Sequence, residues 1–279
     1  MTDATARTEL AVWGDPIEHS RSPRLHAAAY DVLGLPWTYG RRRVDAAEFA
    51  DALAGLGPQW RGLSCTMPLK EVAFRAAVVR DRRAELTGSV NTLLLGADGP
   101  VGANTDVGGL VEAMREHGVD ELETARILGA GRTAASALVA LTELDARVVH
   151  VHARRAEAIT PLVELGAELG VRVVPHPLTG SADAVDVTVA TLPGGTELSD
   201  AVTHALAQAG GLLLDAAYDP WPSSLASAWE RAGRTAVSGL SMLLHQAVLQ
   251  VRLFVTGSTE DALPDEAAVV AAMRRALDA

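Results

Sequence analysis

The chain has 279 residues, 48% of them hydrophobic, which is enough apolar side chain for two modest cores rather than one large one. Its formal net charge of −11 argues against nonspecific nucleic-acid binding, which needs clustered Lys and Arg against phosphate. A single cysteine, Cys65, excludes an internal disulfide and a cysteine-built zinc cluster, as suits a reducing compartment.

Residues 1–9 are polar and lack the apolar core of a secretory signal, and no apolar run approaches membrane-spanning length; the expectation is a soluble, cytoplasmic chain. Strand and helix signals then alternate: strand 10–13, helix 23–33, strand 38–44, helix 46–56, strand 61–65, helix 68–79 and strand 90–95. That is an α/β pattern. In the first helix Ser22 is placed to cap, Pro23 suits the first turn, Leu25, Ala28, Ala29, Val32 and Leu33 share a face, and Gly34 stops it. In the second, Asp45 caps with Glu48 three residues on, ahead of an apolar stripe of Phe49, Ala52, Leu53 and Leu56. The basic runs at 41–43 and 80–83 read as solvated element ends.

A second α/β run opens at Asp106, whose carboxylate is placed to cap a helix over 107–117. Strand 125–128, a glycine loop, helix 133–144, strand 148–152, a helix, strands 171–174 and 187–190, a helix and strand 212–215 follow. Helix 240–255 and a last helix after Pro264 are expected to return to the first domain. The predicted organisation is two α/β domains: residues 1–106 with 238–279 as a discontinuous substrate-binding and catalytic domain, and 107–237 as a Rossmann-like NAD(P)-binding domain.

Gly129-Ala130-Gly131-Arg132-Thr133-Ala134 follows a hydrophobic strand and opens an Ala-rich helix, the context that a dinucleotide loop requires. The first glycine allows the tight turn, the second lets backbone approach pyrophosphate, and Ala134 permits close helix packing. Phosphate is then met by amides at the helix N-terminus. About 20 residues beyond the loop, where a carboxylate would select NAD, stands His150-Val151-His152-Ala153-Arg154-Arg155. Two guanidiniums suit a 2′-phosphate, so NADP is favoured over NAD.

Ahead of this loop lie Thr66-Met67-Pro68-Leu69-Lys70 and Asn104-Thr105-Asp106, a cation and a carboxylate among hydroxyl and amide side chains. Hydride arriving at a ketone carbon leaves negative charge on oxygen, which a positioned ammonium stabilises and protonates. In reverse the alcohol must lose a proton, so oxidation is expected to ease at alkaline pH. Cys65 suits a small buried residue, since hydride transfer needs no covalent intermediate, and His19, His26 and His245 lack metal-ligand spacing, so no metal is implied.

These motifs, with the segments beginning Gly14-Asp15-Pro16 and continuing to Ser22-Pro23, Asn91-Thr92, Asp215-Ala216-Ala217-Tyr218-Asp219-Pro220 and Gly239 through Gln246, run in one order along nearly the whole chain. Together they resemble the shikimate dehydrogenase family. The resemblance implies reversible NADPH-dependent reduction of 3-dehydroshikimate to shikimate, on the route to aromatic amino acids. By motif position it implies Ser20, Ser22 and Tyr218 at the substrate carboxylate, and Thr66, Asn91 and Gln246 at carboxylate or ring hydroxyls. Lys70 and Asp106 would flank the reacting oxygen as the catalytic pair. Gly129, Ala130, Gly131, Arg132, Thr133, Ala134, His152, Arg154, Arg155 and Gly239 would hold the cofactor. Two departures stand out: Ser64-Cys65 where the family commonly has Asn-Val, and His152-Ala153-Arg154 where it commonly has Asn-Arg-Thr. Quinate or aminoshikimate dehydrogenase remains an alternative, as does a silent NADP-binding sensor, and the sequence leaves monomer and homodimer open.

Overall fold

A computed structural model describes residues 8–179 and 182–278. The chain divides into two compact units, one holding the residues up to Thr105 together with those from Leu244 onward, the other Asp106–Leu243. In chain order the first stretch runs β1 (Glu9–Gly14), α1 (Ser22–Leu33), β2 (Thr38–Arg43), α2 (Phe49–Ala54), β3 (Trp60–Cys65), α3 (Lys70–Ala76), β4 (Val79–Arg80), α4 (Arg82–Thr87), β5 (Thr92–Leu94) and β6 (Val101–Ala103). Next come α5 (Thr105–Glu116), β7 (Thr124–Leu128), α6 (Arg132–Glu143), β8 (Val148–Ala153), α7 (Thr160–Leu169), β9 (Arg172–Pro177), β10 (Val187–Ala190), α8 (Asp200–Gln208), β11 (Leu212–Asp215), α9 (Ser224–Arg231) and β12 (Ala236–Ser238). The chain closes with α10 (Gly239–Thr256) and α11 (Glu266–Asp278).

In the first unit the sheet order is β2-β1-β3-β5-β6-β4. β1 pairs parallel with β2 and β3, and β5 runs antiparallel to both β3 and β6. Leu10, Ala11, Val12 and Trp13 are all buried, as a parallel strand covered on both faces demands. Trp13 meets Phe49 and Trp60 edge-on, at centroid distances of 6.0 and 6.5 Å. The short strands β4 and β6 escape the sequence reading, because two- and three-residue strands show no measurable alternation, and the six-residue α4 is too brief to show a helical period. The basic run there is structural: Arg80 bonds Glu85 and the carbonyls of Phe74 and Ala77, with its guanidinium 4.5 Å from the Phe74 ring.

Two expected caps shift. Arg21, not Ser22, is the N-cap of α1, and Ser22 is the first helical residue with its amide donating to Ser20 Oγ at 3.3 Å. The Asp45 and Glu48 pair does form a reciprocal box, with Glu48 N–H reaching Asp45 Oδ1 at 2.9 Å and Asp45 N–H reaching Glu48 Oε2 at 3.3 Å. It closes the turn that precedes α2 rather than the helix itself. Likewise α5 begins at Thr105, which puts Asp106 inside its first turn instead of at its cap.

The second unit has an all-parallel sheet, β12-β11-β10-β7-β8-β9. The order steps one way from β7 to β9 and the other way from β10 to β12, so the switch point lies between β7 and β10, where open α/β sheets bind ligands. α6 buries Ala134, Ser136, Ala137 and Ala140, small residues that let a helix lie close to a sheet. The chain from Gly239 to Leu243 belongs to this unit; a Cβ at 239 would stand 2.2 Å from the Ala216 carbonyl oxygen, so only glycine fits.

In the first unit, α10 and α11 are joined by Arg252, which grips Glu266 through two bonds of 2.7 and 2.5 Å, and Glu266 also accepts from Leu263 N–H at 3.0 Å. The Arg252 bond holds the Glu266 carboxyl below the usual range, burial opposing it. Because the folded value is depressed, the stabilisation is complete above the unfolded value and is lost as pH falls through the folded one. Glu266→Gln should therefore cost about 1 kcal/mol at neutral pH. Urea unfolding of both proteins checks this: the gap should close at pH values below the carboxylate range, and an equal gap there would contradict it.

Candidate active site

In the first unit, the turn after β3 carries Thr66 and Lys70. Thr66 N–H donates to the Trp13 carbonyl at 2.9 Å, and Leu69 N–H to the Thr66 carbonyl at 2.7 Å, so the turn is pinned to β1. The close approach requires Gly14, where a Cβ would stand 2.4 Å from Thr66 Cγ2. Lys70 then opens α3, half-buried, with its carbonyl accepting from Val90 N–H at 3.0 Å. Its charge reaches Cys65. Burial raises the Cys65 thiol to about 12, and Lys70 opposes that rise. A thiol so buried stays protonated near neutral pH, as expected of a packing residue.

Asn91 is the hub of the same region. Its Nδ2 donates to Thr105 Oγ1 at 2.9 Å, and its Oδ1 accepts from Thr105 N–H at 2.9 Å and from Thr92 Oγ1 at 2.8 Å. Thr105 Oγ1 lies 3.5 Å from Gln246 Oε1, a long contact that brings α10 to the same cluster. All four residues are buried. Asp81 caps α4 and accepts from Asn104 N–H, and Thr87 Oγ1 accepts from Asn104 Nδ2 at 2.8 Å. The backbone leading into α5 is thus held on both sides, and Asp106, itself buried, follows directly.

A second buried network was not foreseen. Ser64 Oγ accepts from Tyr39 OH at 2.6 Å and donates to Gln250 Oε1 at 2.7 Å; His26 Nε2 lies 3.1 Å from that same oxygen and its Nδ1 3.1 Å from Tyr30 OH. The His26 ring stacks on Tyr39 at 3.8 Å, and burial lowers its pKa to about 3, so it is neutral. The position of Gln250 one turn beyond Gln246 on α10 was the available signal. Ser64 spends its hydroxyl on these partners.

In the second unit the glycine loop leaves β7 with Gly129 at φ +111, where a Cβ would also strike Thr191 Oγ1 at 2.5 Å. A Cβ at Gly131 would meet nothing within 4 Å, which is open space. No side chain caps α6, whose N-cap is Gly131. Its first-turn amides therefore present a positive helix terminus with room in front, which fits a pyrophosphate. Gly131 and Arg132 are exposed, Ala130 and Thr133 half-buried, and Ala134 is buried beneath.

At the end of β8, Arg154 and Arg155 are exposed, whereas His152 is buried, with Nδ1 3.3 Å from the Pro177 carbonyl oxygen and its ring stacked on His176. Burial lowers the His152 pKa to about 4, with Arg126 adding to the effect, so His152 brings no charge to this end of the strand. Further along, Asp215 Oδ2 accepts from Ser223 Oγ at 2.6 Å and Oδ1 from Ala217 N–H at 3.1 Å, shaping the segment that carries half-buried Tyr218. Gly239 N–H donates to the Ala217 carbonyl at 3.2 Å, tying the start of α10 to that segment.

Residues 12–93 match the family described as the shikimate dehydrogenase substrate binding domain. Over 260 residues, 89% of this chain and 90% of the relative, the sequence is 39% identical to a shikimate dehydrogenase (NADP(+)) of Methylobacterium radiotolerans. The solved shikimate dehydrogenase of Mycobacterium tuberculosis is similar at TM-score 0.82 and 39% identity, over 96% of this chain and 99% of that one. A shikimate 5-dehydrogenase of Thermus thermophilus, in complex with NADP(H) and shikimate, gives 0.80 at 29% identity over the same shares. No helix among the described residues is long and apolar enough to cross a membrane.

Asn91→Ala would strip a buried N–H of its partner at the first residue of α5. The expected cost is about 1–3 kcal/mol. Thermal unfolding measures it, and a variant as stable as the parent would show that the clamp carries no weight.

Proposed function

Because the chain belongs to the shikimate dehydrogenase family, we propose that it catalyses the reversible NADPH-dependent reduction of 3-dehydroshikimate to shikimate, a step toward aromatic amino acids. The observation that carries this reading is 35–39% identity, over most of the chain, to shikimate dehydrogenases named for NADP(+), well above what fold likeness alone requires. The enzyme is an oxidoreductase acting on a CH–OH group, with a substrate-binding unit and a Rossmann-like unit for the cofactor. Its partner is a small molecule, and a cytoplasmic location accords with a single, buried cysteine.

NADPH, when bound, supplies the hydride. Lys70 stabilises the charge that develops on the substrate oxygen and donates its proton, and Asp106 flanks the same reacting oxygen. Ser20, Ser22 and Tyr218 hold the substrate carboxylate, and Thr66, Asn91 and Gln246 its carboxylate or hydroxyls. Asn91 enters this role already oriented by Thr105 and Thr92, so its amide loses little freedom on binding. The loop 129–134 would receive the pyrophosphate on the uncapped terminus of α6, and Gly239, where a side chain would strike the Ala216 backbone, would lie against the cofactor. Arg154 and Arg155 would meet the adenosine 2′-phosphate, as exposed permanent cations suit that task, while His152 brings no charge to the same end of the strand.

Ser64 bears on substrate choice. Its hydroxyl is engaged with Tyr39 and Gln250, so the position lacks the second donor of an amide. The deciding experiment is a turnover screen of shikimate, quinate and aminoshikimate, each with NADP and NAD. The highest kcat/KM should fall to shikimate with NADP; preference for another ring acid would move the assignment within the family, and no turnover with any would indicate a silent sensor.

Lys70→Ala should lower kcat by roughly 100- to 10,000-fold while leaving NADP affinity nearly unchanged, as steady-state assays and fluorescence titration would report. A near-normal rate would overturn the role of Lys70.

A further inference from the structure

The edge of the second unit's sheet gathers His150, His176 and Asp183, to which the proposed reaction assigns no role. His150 and His152 lie two residues apart on β8 and so share a face, and parallel pairing with β9 sets His176 in register with His152. His150 Nδ1 and His176 Nε2 face each other at 2.9 Å. Asp183 completes the group, with Oδ2 3.3 Å from His150 Nδ1 and 3.9 Å from His176 Nε2. Among the described residues this is the group of three or more metal-type ligands whose donor atoms converge.

The arrangement is supported from behind. Arg126, fully buried on β7, donates to Thr188 Oγ1 at 3.3 Å, to the Leu206 carbonyl at 3.2 Å and to the Asp183 carbonyl. The last bond anchors the segment that delivers the carboxylate. On the other side, the His176 ring stacks on His152 at 4.7 Å and 11°, which fixes the plane in which its nitrogen points. Both rings are thus positioned by contacts that leave the converging donor atoms facing one another.

A tetrahedral zinc ion with bonds of about 2.0–2.1 Å holds its ligand atoms roughly 3.3 Å apart. The three separations here, 2.9, 3.3 and 3.9 Å, bracket that spacing. We propose that His150, His176 and Asp183 form a binding site for one divalent transition-metal ion of the zinc class. Two imidazoles and a carboxylate are a donor set for zinc, nickel, cobalt or copper, and a poor one for magnesium, which prefers oxygen ligands throughout. The two histidine side chains are 14% and 20% exposed, and that of Asp183 is 63% exposed, so the carboxylate side is open to entering metal and to a water that fills the remaining position. On metal binding, the imidazole that donates in the pair shifts its proton to its other ring nitrogen, and both facing lone pairs turn to the ion. The buried Arg126 cation interacts with Asp183 and so opposes the positive charge of an incoming ion.

Calorimetric titration of the metal-free full chain with Zn²⁺ at neutral pH tests the site. The expected result is saturation at one ion per chain, a tetrahedral-type visible spectrum with Co²⁺, and no heat with Mg²⁺. Asp183→Asn and His150→Gln should each lose the saturating phase and the Co²⁺ spectrum; the exposed Asp183→Asn decides alone if the histidine variant fails to fold. A parent chain that shows no such saturation, or an Asp183→Asn chain that keeps both signals, would overturn the site.

Discussion

A buried amide, Asn91, holds Thr105, the first residue of α5. Side-chain amides are expensive to bury unless their donors and acceptors are used, and here both ends are taken up by Thr105 and Thr92. Asp81 and Thr87 secure Asn104 from the other side. The backbone at the start of α5 is thereby held firmly, because any movement would break several hydrogen bonds in a low-dielectric interior. Lys70 is fixed by different means, a turn drawn against β1 by Trp13 and admitted by Gly14. Rigid placement before substrate arrives is what the role proposed for Lys70, stabilising a developing oxyanion, would ask of its turn.

The second unit offers a backbone terminus of a kind that suits an anion. Leaving α6 without a side-chain cap keeps its first-turn amides for a ligand, and Gly131 leaves the space before them clear. At the far end of the adjacent strand, polar residues divide by burial. Arg154 and Arg155 are exposed, and the imidazole of His152 is buried with its charge suppressed. Proximity in sequence thus conceals a difference in electrostatic role that only burial resolves.

Much of this was legible in the sequence because it depends on local rules. The glycine loop between a hydrophobic strand and an Ala-rich helix, the strands β10 and β11, and the α/β alternation all carry their signals within a few residues. What sequence reasoning missed is of two kinds. Very short elements such as β4 and β6 exist only because neighbouring strands supply their hydrogen bonds. Long-range polar networks depend on residues far apart in the chain: Ser64 with Gln250, His26 with Gln250, or His150 with His176. Sequence spacing pointed away from a metal at His19, His26 and His245, and said nothing of histidines that only strand pairing brings together.

The proposed chemistry requires Lys70 and Asp106 to act together on one substrate oxygen, and a crystal structure of the chain with shikimate and NADP would examine that requirement at the atoms concerned. Lys70 Nζ and an Asp106 carboxylate oxygen should each lie within hydrogen-bonding distance of the hydroxyl that is oxidised. A bound shikimate whose reacting hydroxyl is met by other side chains, with either residue turned away, would contradict it.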